Sequence, residues 1–206
     1  MASTPDGVKP RLVLASASTS RAESLRAAGV DFFAHPADID ESAIKRDHQE
    51  RRADAQSCAM ALAEAKAAAV AARHPGALVI GADQILVCEN EWFDKPRDLA
   101  EAAAQLRRLR GREHRLMTAC CIYRNGEKLW QALATPKLTM RRFGEAFLAG
   151  YIAAEGEAVL GSVGAYRIEG KGVQLFARIE GDHFAILGLP LLELLSFLRR
   201  HGVVGE

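Results

Sequence analysis

Residues 77–93 read ALVIGADQILVCENEWF, two apolar runs that flank Gly81-Ala82-Asp83-Gln84. No other stretch constrains the fold as much. Short runs rich in Val, Ile and Leu are strand material. They carry an acid, Asp83, into a segment that a sheet would bury, and a buried carboxylate must be paired or bind metal. Two readings follow. Asp83 is a structural acid that bonds backbone at a bulge after Gly81, or it belongs to a polar site built on the strand.

The rest of the chain supplies the sheet and its cover. Leu12–Ala15 predicts a short buried strand, and Ser18–Ala28 a helix stopped by Gly29. Residues 31–41, DFFAHPADIDE, predict a second short strand running into a loop with three acids. Residues 48–73 predict one long alanine-rich helix, closed by His74-Pro75-Gly76. Residues 95–111 predict a helix capped by Asp98, with a Leu99, Leu106, Leu109 stripe and Gly111 as its end. Residues 114–143 predict a hairpin turning at Asn125-Gly126, and residues 144–156 a helix. Residues 173–187 are strand-like with a turn near Gly181-Asp182, and Pro190 opens a closing helix to Arg200. Strands and helices alternate early and strands cluster later. This pattern gives an α/β or α+β sheet with helices packed on it, and a cleft at strand C-terminal ends. Without repeats, linkers or a boundary, residues 1–206 read as one domain, with 1–10 a flexible N-terminal segment.

Composition excludes several classes. A formal net charge of +1 and no aromatic-basic stripe argue against nucleic acid and anionic membranes. The first ten residues are polar and lack the pattern of a signal peptide. No apolar run reaches the roughly 18 residues needed to span a bilayer. Cys58, Cys88, Cys120 and Cys121 show no CxxC spacing and read as free buried thiols. A cytoplasmic protein is the expectation. GAYRIEGKG, residues 164–172, is not a phosphate-binding loop: five residues separate Gly164 from Gly170, and Gly172 stands where Ser or Thr should hold Mg²⁺. Leu175 takes the place of the third glycine of a dinucleotide fingerprint, and His48, His74, His114 and His183 are too scattered for zinc.

Polar candidates remain beside Asp83. Ser16 and Ser18 lie where a strand hands over to a helix, where free N–H groups favour anions. Arg21, one turn on, can fork over the same oxygens. The alternative makes Ser18 a plain N-cap and Arg21 a solvated charge. Glu41 reads as a site carboxylate or a solvated loop acid, Lys66 as a site cation or a snorkelling lysine. Lys95-Pro96 is a phosphate contact or a turn.

The order of these pieces carries more than any one of them. Ser16-x-Ser18-x-x-Arg21, Asp40-Glu41, LAEAKA at 62–67, GADQ at 81–84, Lys95-Pro96 and GDHFAILGLPL at 181–191 together resemble the Maf family of nucleotide pyrophosphatases. KGVQLFARIEG, at 171–181, is similar to the family's strand before its GLPL helix. The likeness extends from about Leu12 to about Leu198, nearly the whole chain. It implies a long twisted mixed sheet with helices around it, two lobes flanking a cleft, an architecture shared with inosine triphosphate pyrophosphatases. It implies hydrolysis of a nucleoside triphosphate to monophosphate and pyrophosphate with a divalent cation, Mg or Mn. Ser16, Ser18 and Arg21 match the phosphate-binding motif. Glu41, Lys66, Asp83 and Lys95 match the polar cluster, Asp83 the catalytic position. Glu41 and Asp83 are the expected metal ligands.

Three positions bear on the base. Where the family usually has Arg or Trp, this chain has Ser20, which is silent. Gln84 after the acid and Glu169 before Gly170-x-Gly172 match members that favour 7-methyl-GTP over dTTP and UTP. A carboxylate can accept both N1–H and N2–H of guanine, whereas uracil offers one N–H. The competing readings are a dTTP/UTP-type enzyme and a nucleotide-binding regulator of cell division with vestigial catalysis; the retained polar cluster argues against the latter. The expected partner is the nucleotide, with a homodimer allowed.

Overall fold

The structure is a computed structural model that describes residues 10–205; the expected flexible segment lies, but for Pro10, outside them. Its framework is one mixed sheet of eight strands among the described residues: β1 (Leu12–Leu14), β2 (Phe33–Ala34), β3 (Leu78–Cys88), β4 (Glu91–Phe93), β5 (Glu113–Arg124), β6 (Glu127–Ala134), β7 (Lys137–Met140) and β8 (Phe176–Glu180). The order is β2-β1-β3-β5-β7-β8, with β4 also on β3 and β6 also on β5. β1 pairs in parallel with β2 and β3, and all other pairings are antiparallel.

Two strands are long enough to belong to both ends of the sheet. β3 pairs with β1 over Leu78–Ile80 and with β4 over Leu86–Cys88. β5 pairs with β7 over Glu113–Arg115 and with β6 from Thr118 onward. One lobe is therefore β2, β1, the first half of β3, the second half of β5, and β6. The other is β4, the remaining halves of β3 and β5, β7 and β8. β3 and β5 stay in register from Val79–Tyr123 to Val87–Arg115. The bulge offered as one explanation of Asp83 does not exist: Gly81–Gln84 is the middle of one continuous strand.

Seven α-helices among the described residues cover the sheet: α1 (Thr19–Ala27), α2 (Glu41–Glu50), α3 (Ala55–Ala71), α4 (Leu99–Leu109), α5 (Glu145–Glu155), α6 (His183–Ile186) and α7 (Leu191–Arg200). Side chains alternate across β3. Leu78, Ile80 and Ala82 enter a core with Leu25 of α1 and Leu194 and Phe197 of α7. Val79 and Ile85 face α3, with Leu62, Ala63 and Ala67. Leu86 joins the core of the second lobe with Leu106, Leu109, Leu138 and Leu148.

Three expectations need correction. Of residues 173–187, read as strand with a turn, only Phe176–Glu180 is strand; Asp182 accepts the Phe184 and Ala185 N–H groups and starts the short helix α6. The single helix over 48–73 is two helices, and of the three acids in the loop before it Asp38 and Asp40 stay in the loop while Glu41 is the first residue of α2. Asp40 accepts the Ala43 N–H at 2.9 Å and starts α2; Asp54 accepts the Ser57 N–H at 2.7 Å and starts α3. Arg52, at φ 53, makes the left-handed turn between them. Glu41 is thus a helical residue. The stripe of α4 is Ala102, Leu106 and Leu109, with Leu99 at the exposed end. Residues 114–143 form the expected hairpin at Asn125-Gly126 and then add β7. Asp98, Gly29 and Pro190 bound helices as read.

Candidate active site

β1 stops pairing with β3 at Ile80, and β4 begins at Leu86. Between them one edge of β3 has no strand beside it among the described residues. Adjacent residues of a strand point to opposite faces, so an open edge exposes both faces at once. Asp83 projects toward α3 and Gln84 toward β5 and α6, yet both line the same cavity, of about 610 Å³. Ser16, Ser18, Ser20, Arg21, Glu41, Lys66, Lys95 and Glu169 line it too. The structure brings every candidate residue to one place.

The helix α3 comes unusually close to the sheet. A Cβ placed on Gly81 would lie 2.1 Å from the Ala63 carbonyl oxygen and 2.7 Å from Ala67 Cβ. Glycine on the strand and alanine on the helix permit this contact. Lys66, three residues after Ala63 and so on a neighbouring part of the same helix face, is thereby delivered to the strand at Asp83. Lys66 Nζ lies 2.5 Å from Asp83 Oδ1 and 2.9 Å from Glu41 Oε1. Asp83 and Lys66 are buried and Glu41 is half-exposed. Lys66 is therefore no snorkelling lysine, and Asp83 is held by an ammonium rather than by backbone.

The opposite wall comes from the turn after β1. Ser18 caps α1 and accepts the Arg21 N–H at 3.4 Å, so the plain capping role is present as well. Arg21 is buried. Its Nη1 donates to Ser16 Oγ at 3.1 Å and its Nε to the Gly188 carbonyl at 2.9 Å. Burial lowers the Arg21 pKa, and Asp83 and Glu41 act to raise it. Gly188 adopts φ 102, which favours glycine, and a Cβ there would meet Arg21 Nε at 3.0 Å. Lys95, in the turn between β4 and α4, is exposed at the mouth. Desolvation, then Arg21 and Lys66, hold its pKa below the ordinary lysine value, so it stands in a field of its own sign.

The base-facing candidates differ in kind. Gln84 Nε2 donates to Thr118 Oγ1 at 2.8 Å and to the carbonyls of Ala185 and Ile186 at 2.9 and 3.3 Å. Carbonyls only accept, so the amide orientation is fixed and Oε1 is the group left over. Glu169 is partly exposed, and Arg167 Nε donates to its Oε1 at 3.3 Å.

Sequence reasoning missed Lys45, Arg46 and Asp94, which also line the cavity, and the carbonyl of Gly188. Lys45 follows Glu41 by four residues, a helical same-face spacing that α2 would have revealed. Nothing local announces a contact between Arg21 and Gly188, 167 positions apart.

A family model described as Maf-like protein matches residues 11–201. The chain is 52% identical over 191 residues to a protein of Granulibacter bethesdensis named nucleoside triphosphate pyrophosphatase, covering 93% of this chain and 97% of that one. It is 53% identical over 190 residues to a protein of the same name from Paramagnetospirillum magneticum, covering 92% and 98%. It is 47% identical over 195 residues to a protein of Rhizobium etli named 7-methyl-GTP pyrophosphatase, covering 95% and 98%. A polar site assembled at the open edge of β3, with matches that run nearly end to end, places the chain in the Maf family.

Proposed function

We propose that this chain is a nucleoside triphosphate pyrophosphatase that cleaves its substrate between the α- and β-phosphates, releasing a monophosphate and pyrophosphate. The observation that carries the reading is the ammonium of Lys66 between Asp83 and Glu41, on a cavity that also presents Arg21, Ser16 and Lys95. The names of the half-identical relatives point the same way.

Each residue has work to do in that reaction. Arg21, Ser16, Ser18 and Lys95 take the phosphate oxygens and neutralise part of roughly four negative charges. Asp83, rigid on β3 and oriented by Lys66, holds the attacking water and takes its proton as the oxygen bonds to the α-phosphorus. Glu41 shares the same ammonium and completes the acid pair. Pyrophosphate leaves as the bond from the α-phosphorus to its bridging oxygen breaks.

Asp83 and Glu41 suit a divalent cation. Lys66 meets one oxygen of each, which leaves a second carboxylate oxygen on each without a described hydrogen-bond donor. Mg²⁺ typically takes one or two carboxylates and fills its remaining positions with water and phosphate. When bound, such an ion supplies charge neutralisation and polarises the phosphate.

The base reading is 7-methyl-GTP or a related guanine nucleotide. Gln84 Oε1 and the Glu169 carboxylate are both acceptors, and guanine offers adjacent N–H donors where a pyrimidine offers one. The test is a panel of canonical and modified triphosphates with Mg²⁺ or Mn²⁺, read by pyrophosphate and monophosphate formation. Faster turnover of dTTP and UTP than of 7-methyl-GTP would overturn the base reading. Nucleotide binding without any product would instead make the chain a binding regulator.

A further inference from the structure

α2 carries Glu41, yet none of its ten residues is buried. Ile44, only partly buried, packs it against the core of α3, a small apolar anchor for a ten-residue helix. Two ion pairs add to that anchor: Glu41 to Lys66 in the first turn, and one turn later Lys45 to the carboxylate of Asp94. Asp94 sits at the end of β4, immediately before Lys95. Its backbone carbonyl is also taken, by the Nε2 of Gln105 at 3.0 Å, a buried side chain of α4. Asp94 therefore joins three pieces of the cavity wall: α2 through its side chain, α4 through its main chain, and Lys95 through the next peptide bond. The Lys45 side chain is partly buried; burial acts to lower its pKa, and the hydrogen bond and charge of Asp94, with the charges of Asp83 and Glu41, together hold it raised. Exposed ion pairs add little to global stability. A pair that spans two otherwise separate walls acts instead on where those walls stand.

We infer that Asp94 is a positioning residue: by holding Lys45 of α2 against the Lys95 turn, it sets the distance between Glu41 and Lys95 across the nucleotide site. The inference rests on the proposed pyrophosphatase reaction for its kinetic consequence, but the tie itself is testable without turnover. Asp94→Asn, Lys45→Met and the double variant are compared with the wild type by backbone hydrogen exchange. Amides of residues 41–50 and of 94–98 should both exchange faster in each single variant, at an unchanged melting temperature, and the double should match the singles. Gln105→Met should loosen 94–98 without loosening 41–50. With an active nucleotide, kcat/KM should fall about tenfold in either single variant and no further in the double, with Asp94→Glu recovering most of it. Additive losses in the double, or exchange that changes in one segment only in Asp94→Asn, would overturn the tie. Altered exchange in both segments, with no wild-type turnover of any nucleotide, would uphold the tie and refute the proposed reaction.

Discussion

Lys66 reaches Asp83 from the far side of a helix–sheet contact so close that a single methyl on Gly81 would obstruct it. The pair sits in the wall of the cavity, and the same ammonium serves Glu41. Charge, packing and chemistry thus depend on one another within a few ångströms.

Asp83→Asn should abolish nearly all turnover while leaving the fold intact. The amide keeps the volume and can still accept a hydrogen bond from Lys66, but it neither takes a proton nor carries charge. The rate should drop at least about 100-fold. Pyrophosphate release alongside circular dichroism checks it; a folded variant with near wild-type turnover refutes the role.

Lys66→Met should cost more stability than Asp83→Asn. It leaves a buried carboxylate unpaired, for which a loss of about 3–5 kcal/mol is typical. It also frees both carboxylates for a cation, so millimolar Mg²⁺ or Mn²⁺ should raise the melting temperature of this variant more than that of the wild type. Equal metal responses in thermal melts would show that Asp83 and Glu41 do not form a cation site.

Glu169→Gln should shift preference from guanine nucleotides toward pyrimidine ones. The variant trades an acceptor-only group for one that also donates. Once a bound base covers this exposed side chain, an unmatched polar group costs roughly 1–3 kcal/mol, so the ratio of kcat/KM values should move about ten- to hundredfold. An unchanged ratio across 7-methyl-GTP, GTP, UTP and dTTP would remove Glu169 from base selection.

Acid should weaken the fold through His114. Burial holds its pKa down at about 4, and its Nδ1 has no partner among the described residues while Nε2 meets Tyr166 Oη at 3.0 Å. Between that value and the ordinary one near 6.5, the unfolded chain binds a proton that the folded chain refuses. Stability is therefore present above the unfolded value and lost as pH falls, by about 2 kcal/mol from pH 7 to pH 5. Urea titrations should show this slope in the wild type and lack it in His114→Leu. A His114 resonance titrating near 6.5 would contradict the assignment.

The sheet and most helices could be read from residue pattern, whereas Glu41, Ser20, Gln84 and Glu169 were singled out only by the ordered family resemblance. Asp83 betrayed itself by standing among apolar neighbours, and Asp98 and Pro190 by their fitness for helix starts. The break between α2 and α3 was hidden because alanine and arginine suit a helix interior; only the two capping aspartates, Asp40 and Asp54, mark it. Lys66 gave no local sign of its partner, because its meeting with Asp83 depends on how closely Ala63 approaches Gly81. Asp94 and Gly188 were invisible for the same kind of reason: their importance lies in contacts made by tertiary structure.

The unbroken ladder between β3 and β5 passes directly beneath the cavity, from Val79–Tyr123 to Val87–Arg115. Lobes sewn together along shared strands are coupled through that sheet rather than through a loose connection. Any motion of one against the other has to be taken up by twist or bend of the shared strands, unlike closure about a flexible connection. The rim is built differently, from α2, which buries none of its residues, and the turns around it, so the cavity joins a floor of continuous sheet to a more loosely held wall.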